Sequence, residues 1–246
     1  MTTIIGIDAA TERKKLGLAR GHLEHGELVV DEAVLGSEVG SVADTIVSWV
    51  EGDTLIAVDA PLGWPVPLGH ALRKHRAGMA IETEAHDLFR RTTDRFVHET
   101  LRKLPLDVGA DRIARTAHTA LRHLGEVRRA MSLDIPLAWT PKLRGVACIE
   151  VYPAATIKAR GIDGSGCKGN KDTAPAARRR VLDAVRRELG LTVDDARLVD
   201  SDDRLDAVLC VLAGADFLRQ RCVAPDDRQR KLAEVEGWIW FRRPRP

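Results

Sequence analysis

The run Ile4-Ile5-Gly6-Ile7-Asp8-Ala9-Ala10 opens the chain with β-rich apolar residues that lead into a carboxylate. The arrangement returns in Thr54-Leu55-Ile56-Ala57-Val58-Asp59-Ala60-Pro61 and in Val146-Ala147-Cys148-Ile149-Glu150-Val151-Tyr152-Pro153. A fourth acid, Asp206, interrupts an otherwise apolar helical stretch that runs from Asp202 to Leu218. A carboxylate beside a sheet core is costly unless it is paired, hydrogen-bonded or coordinated to a metal. Ligands of α/β sheets bind outside the carboxyl ends of the strands. Four acids in such positions imply a shared cation and, with it, phosphate chemistry.

Working outward, residues 15–22 and 27–35 read as a hairpin turning near His25 and Gly26. Val42, Ile46, Val47 and Val50 recur at helical spacing, and Ser41 or the preceding Gly40 can begin the helix. The nearly all-apolar Thr54–Asp59 run reads as a central strand, stopped by the Pro61–Pro67 loop. From about 65 to 135 the pattern turns helical and dense in Arg and His, which predicts a helical insertion or cap within a single domain over 1–246. Its helices are expected near 68–77, 81–90, 94–104 and 110–131. The β pattern resumes at Val146–Val151. Helices follow over Ala174–Leu189, with Gly190 as C-cap, and from Ser201 or Asp202 to about Arg221. The tail Glu234–Phe241 alternates briefly and reads as a closing strand or a tethered end.

At 246 residues with 44% apolar and 30% charged residues, the chain is long enough to bury a full core. The formal charge of +2 neither demands nor excludes a nucleic-acid partner. The four cysteines form no Cys-x-x-Cys pair, so buried free thiols are expected. The N-terminus runs directly into a strand without a signal-like segment, and no apolar run reaches membrane-spanning length. A cytoplasmic, reduced setting is the expectation; oligomeric state has no signal in the sequence.

On the last helix Asp203 and Asp206 share a face at i,i+3, and Asp202 and Asp206 are spaced i,i+4. Like charges so placed repel, and a divalent cation turns the penalty into attraction. Hard oxygen donors without a His–Cys cluster favour Mg²⁺ or Mn²⁺ over structural zinc. Taken singly, Asp8 or Asp59 also fits a local turn cap, and Asp202 or Asp203 an ordinary helix N-cap.

The ordered set Gly6-Ile7-Asp8, Asp59-Ala60-Pro61-Leu62-Gly63, Arg91-Thr92-Thr93-Asp94-Arg95, Gly109-Ala110-Asp111-Arg112-Ile113, Glu150-Val151-Tyr152-Pro153, Asp203-Arg204-Leu205-Asp206-Ala207 and Glu236-Gly237-Trp238-Ile239-Trp240 resembles the DUF429 family across nearly the whole chain. The resemblance implies a ribonuclease H-like fold: a mixed five-stranded sheet with flanking helices, here carrying a large helical insertion. It also implies a nuclease site built from Asp8, Asp59 and Asp206, with Glu150 or Asp203 completing the metal-binding set.

Arg90, Arg91 and Arg95 surround Asp94, and Arg112 follows in the next motif. They read either as a phosphate clamp oriented by Asp94 or as an Arg–Asp network holding the insertion to the sheet. Arg91 and Arg112 are the preferred substrate contacts. Lys168 lies in the Gly-rich loop 161–171, which lacks the order of a nucleotide P-loop, and is a candidate lid residue toward phosphate. The leading expectation is a Mg²⁺- or Mn²⁺-dependent nuclease. Asp8 and Asp206 would be its principal ligands, with Asp59 and Glu150 bridging or orienting water. A small-molecule phosphohydrolase or phosphotransferase, and a non-catalytic nucleic-acid-binding module, are the alternatives.

Overall fold

The first apolar run becomes strand β1 (Thr2–Asp8), and its neighbours follow from the same patterning. Residues 1–109, 111–169 and 171–244 are described by the computed structural model. Ala110 of the fourth motif and Asn170 of the Gly-rich loop lie outside them. β2 (Gly17–Glu24) and β3 (Glu27–Leu35) form the expected hairpin. His25 and Gly26 hold φ of 49° and 88°, the paired positive values that match a tight turn to the strand twist. β4 (Thr54–Asp59) and β5 (Val146–Glu150) pair in parallel, and β4 pairs in parallel with β1. The sheet order is β5-β4-β1-β2-β3-β6, with β1–β2 and β2–β3 antiparallel.

Five strands are thus as expected, and a sixth of two residues is added at the edge. It is β6 (Gly190–Leu191), parallel to β3. Gly190 is therefore a strand residue rather than a helix cap; the preceding helix, α7 (Ala174–Val185), stops a turn earlier.

Side-chain alternation divides the sheet into two faces. Ile5, Ile7, Ile56, Val58, Val146 and Cys148 face one core. It is closed by α1 (Val42–Trp49), whose N-cap Ser41 accepts from the Asp44 N–H, and by α5 (Asp111–Met131) through Ala120, Leu124 and Val127. Ile4, Ala19, Leu55, Ala57 and Ile149 face the other side, against α9 (Asp202–Leu218). α9 is buried on almost every side, so its apolar residues show no stripe.

α9 lies on the sheet at backbone contact. A Cβ on Gly6 would sit 2.1 Å from the Ala207 carbonyl oxygen, and one on Gly17 would sit 2.0 Å from that of Asp203. In both cases the Cβ would meet a backbone carbonyl, so no side-chain rotation relieves the clash. Gly6→Ala and Gly17→Ala are each expected to lose about 1–3 kcal/mol, the usual cost of overpacking. A urea titration checks this through its midpoint at unchanged slope; a parental midpoint in both variants contradicts the close approach.

The Arg- and His-rich segment between β4 and β5 divides by role. α5 packs on the sheet as an ordinary covering helix. α2 (Val66–Leu72), α3 (Ala85–Phe89) and α4 (Thr92–Leu101) gather instead beyond the end of β4. There α2 and α4 meet α10 (Asp227–Glu236), and α4 meets α6 (Pro153–Lys158). α8 (Asp195–Asp200) leads into α9. The alternating tail is partly helical: Glu234–Glu236 close α10. Beyond Gly237 the chain runs beside β5, with an isolated bridge Glu150–Ile239 and the Trp240 N–H donating to the Glu150 carbonyl at 2.9 Å. Trp238 and Trp240 share the core with Phe217 and Ile149. Cys148, Cys167 and Cys210 are buried free thiols, and Cys222 is half-buried. No helix among the described residues is long and apolar enough to cross a membrane.

Candidate metal centre

Asp8 and Asp59 are register partners on adjacent parallel strands. Strand parity turns both toward α9: Asp8 follows Ile4 and Gly6 on that face, and Asp59 follows Leu55 and Ala57. On α9, Asp206 lies one residue before Ala207, whose carbonyl touches Gly6, so the glycine contact sets the distance between helix and strand ends. The result is one carboxylate oxygen from each of Asp8, Asp59 and Asp206 within 4.8 Å of the others. Asp206 is buried, while Asp8 and Asp59 keep a solvent-facing edge.

The electrostatics are those of a site short of positive charge. Burial pushes the Asp8 carboxyl well above its ordinary range, and the Asp59 charge pushes it further, against the pull of Lys168. Burial likewise raises Asp59, to about 7, with Lys168 opposing and the Glu150 charge adding. Lys168 reaches over from the Gly-rich loop and its Nζ donates to Asp206, although its side chain is 64% exposed. The loop is tied down by the Gly169 N–H, which donates to Asp202 at 3.0 Å. Thus Lys168 contacts a candidate ligand directly. The donor set fits a hard divalent cation: three carboxylates, one from each of three elements, two of them held in environments that disfavour their own charge.

Glu150 does not join this group. It shares parity with Val146 and Cys148, which face the α1–α5 core, opposite to Asp8 and Asp59. Both its oxygens are engaged by Arg91: Nη1 to Oε2 at 2.8 Å and Nη2 to Oε1 at 2.7 Å. Arg91, read as a substrate contact, is consequently an interior residue, 2% exposed. Its guanidinium also donates to both oxygens of Asp94 and to the Glu236 carbonyl. Asp94 does orient a guanidinium, in addition to accepting from the Arg91 backbone N–H at the start of α4. Burial works to lower the Arg91 pKa, but the Glu150 and Asp94 charges outweigh it and hold the guanidinium charged.

Glu150 Oε2 also accepts from the Leu62 N–H at 3.0 Å, in the loop that leaves Asp59. Glu236, missed as an interior acid, completes the cluster by accepting from the Val66 and Thr92 N–H groups. Its signal was its place in the Glu-Gly-Trp motif, obscured by reading that motif as a strand.

Of the remaining candidates, Asp203 stands outside the three-carboxylate group but near enough for its charge to raise Asp8, whereas Arg95 and Arg112 lie on the surface. Asp203 is partly buried and pairs with Lys15 at 3.6 Å; burial and the neighbouring Asp202 charge raise its pKa. Arg95 pairs with Asp87 at 3.1 Å on the surface, and Arg112 is exposed in the first turn of α5.

Fold and site together define a mixed α/β protein with a three-carboxylate centre at the ends of two parallel strands and one helix. Within that class the chain belongs to the DUF429 family, described as a protein of unknown function; the family model matches residues 6–230. No curated protein and no solved structure matched the chain.

Proposed function

We propose that the protein is a divalent-metal-dependent phosphodiester hydrolase acting on nucleic acid, with Asp8, Asp59 and Asp206 as the metal ligands. The observation that carries this reading is the meeting of three carboxylates within 4.8 Å at the carboxyl edge of the sheet. The order β3-β2-β1-β4-β5 with β2 antiparallel also agrees with the ribonuclease H-like architecture implied by the sequence resemblance. A Mg²⁺ or Mn²⁺ ion, when bound, would polarise a phosphoryl oxygen and lower the pKa of water. Lys168 would leave Asp206 as the cation enters and turn its charge to the substrate phosphate. Arg91 and Glu150 act as positioning residues, holding the Leu62 backbone and so the exit of the Asp59 strand. Asp203 and Lys15 contribute to the local field.

The test is a cleavage panel of single- and double-stranded DNA, RNA, hybrid and branched substrates, with small phosphate esters in parallel, each with Mg²⁺, Mn²⁺ or EDTA. Hydrolysis of a polynucleotide that requires metal and disappears in Asp206→Asn is expected. Turnover confined to the small esters would transfer the site to a phosphohydrolase. Absence of both turnover and metal binding would remove the catalytic reading.

A further inference from the structure

At the far edge of the sheet from the three acids lies a cavity of about 970 Å³. It opens beside the hairpin turn, between the β3–β6 edge, the region after α7 and the C-terminal end of α9. Asp206 and Arg219 are thirteen residues apart on and just after α9, which at 1.5 Å per residue separates the two regions by about 20 Å. Arg160, Arg186, Arg187, Arg219, Arg221 and Arg242 line the cavity, against two lining acids, Glu27 and Glu188.

The ion pairing leaves this charge unbalanced. Glu188 is shared among Arg160, Arg221 and Arg242 at 3.2, 3.9 and 2.6 Å. Arg160 also pairs with Asp216, and Arg186 with Asp195. Among the described residues, Arg187 and Arg219 have no carboxylate partner. The Arg219 guanidinium donates to the Gly26 carbonyl. Its pKa is pushed down by burial and then by the adjacent Arg221 charge. A network built only to hold elements together would match its charges; this one crowds guanidinium groups around a void.

We propose that this cavity is a second ligand site, for a small phosphate-bearing anion of nucleotide size. Guanidinium forks match phosphate oxygens in planar, bidentate geometry, and several converging on one recess suit a di- or polyphosphate. Leu28, Val29, Ile162 and Leu189 supply apolar wall for the organic part. The volume falls at the upper end of small-ligand pockets, roughly 300–1,000 Å³. Among the described residues the site offers no metal-binding carboxylate cluster, so the role proposed for it is binding rather than turnover, and it stands whatever the three acids do.

Calorimetric titration of the full chain with ADP and with inorganic pyrophosphate, in EDTA at low ionic strength, tests the assignment. Saturable binding of one equivalent is expected, unchanged in Asp206→Asn. Arg187→Ala should weaken it by about tenfold or more, the loss of a charge-assisted hydrogen bond. Arg187 is exposed, so this variant should keep the parental fold, checked by circular dichroism; Arg219→Ala provides a second reading from inside the cavity. Arg129→Ala, on α5 outside the cavity, should bind as the parent does. The proposal is overturned by absence of binding, by binding lost in Asp206→Asn but kept in Arg187→Ala, or by equal weakening in Arg129→Ala. Binding of a single-stranded oligonucleotide without binding of ADP or pyrophosphate also overturns it, by assigning the arginines to a polymer.

Discussion

Asp8→Asn is expected to stabilise the metal-free protein above neutral pH while abolishing its stabilisation by Mn²⁺. The two effects have one cause. Asp8 and Asp59 are neighbours; burial raises both pKa values, Asp59 to about 7, and the Asp59 charge pushes Asp8 up further. A carboxyl whose pKa is higher folded than unfolded binds protons more tightly in the folded state. Its contribution to stability is therefore complete below the ordinary carboxylate range and is lost as the pH rises through the folded value. Between about pH 4 and 7 the metal-free protein should lose the stability held by protonated Asp59, with Asp8 adding to the loss in the same direction.

A divalent cation binds the ionised form, so the melting-temperature gain from Mn²⁺ should be small near pH 5 and large near pH 8. Asparagine removes one of the repelling charges, which relieves the metal-free state. It also removes a ligand, and since loss of mere outer-shell partners costs about 10–100-fold in metal affinity, loss of a ligand should cost more. Melts of both proteins across this pH range, in EDTA and in MnCl₂, separate the outcomes. An equal metal gain at both pH extremes, or a full Mn²⁺ response in Asp8→Asn, would contradict the three-carboxylate centre. An ordinary core-damaging substitution lowers the melting temperature in EDTA too, so the sign of that change distinguishes electrostatic relief from misfolding.

How far the sequence carried depended on whether a signal was local. Asp8 and Asp59 each end an apolar run, and Asp206 breaks an apolar helix; each anomaly is visible within a few residues. Ser41, Ser201 and the His25–Gly26 turn were legible for the same reason, because caps and turns are satisfied by near neighbours. Glu150 has the same local signature as Asp59, yet it faces the opposite side. The difference is register: Val58, not Asp59, lies beside Glu150, and one residue of offset exchanges the faces. Nothing within either strand encodes that offset. Arg91 failed as a substrate contact for a related reason. Its partner Asp94 was three residues away and visible, whereas Glu150, fifty-nine residues distant, made the difference between a surface clamp and an interior ion pair. The arginine cavity has no local signature in the sequence, since its cations come from four separate stretches that only the folded chain brings together.

Arg91→Met should be the most destabilising single change in the insertion, by about 3–5 kcal/mol, the cost of stranding a buried charge. Glu150 is 3% exposed and Asp94 1%, and both rely on this guanidinium. For a chain of this size each kcal/mol moves the melting temperature by roughly 2–4 °C, so a fall of about 6–20 °C is expected. Without the arginine charge, burial raises the Glu150 pKa further, and the deficit should grow as pH rises from about 5 to 8.

Arg91→Lys should recover little, because an ammonium cannot reproduce two bidentate pairings from one plane. Arg91→Met with Glu150→Gln should recover part of the loss: the amide carries no charge, and its oxygen still accepts from the Leu62 N–H. That recovery would appear in a double-mutant cycle as a coupling of opposite sign to simple addition. Losses that merely add, or a single variant within about 1 kcal/mol of the parent, would show that the ion pair does not hold the insertion. Because Glu150 ties the Leu62 backbone behind Asp59, the double variant should also regain Mn²⁺ stabilisation relative to Arg91→Met, linking the interior arginine to the acidic centre through one backbone hydrogen bond.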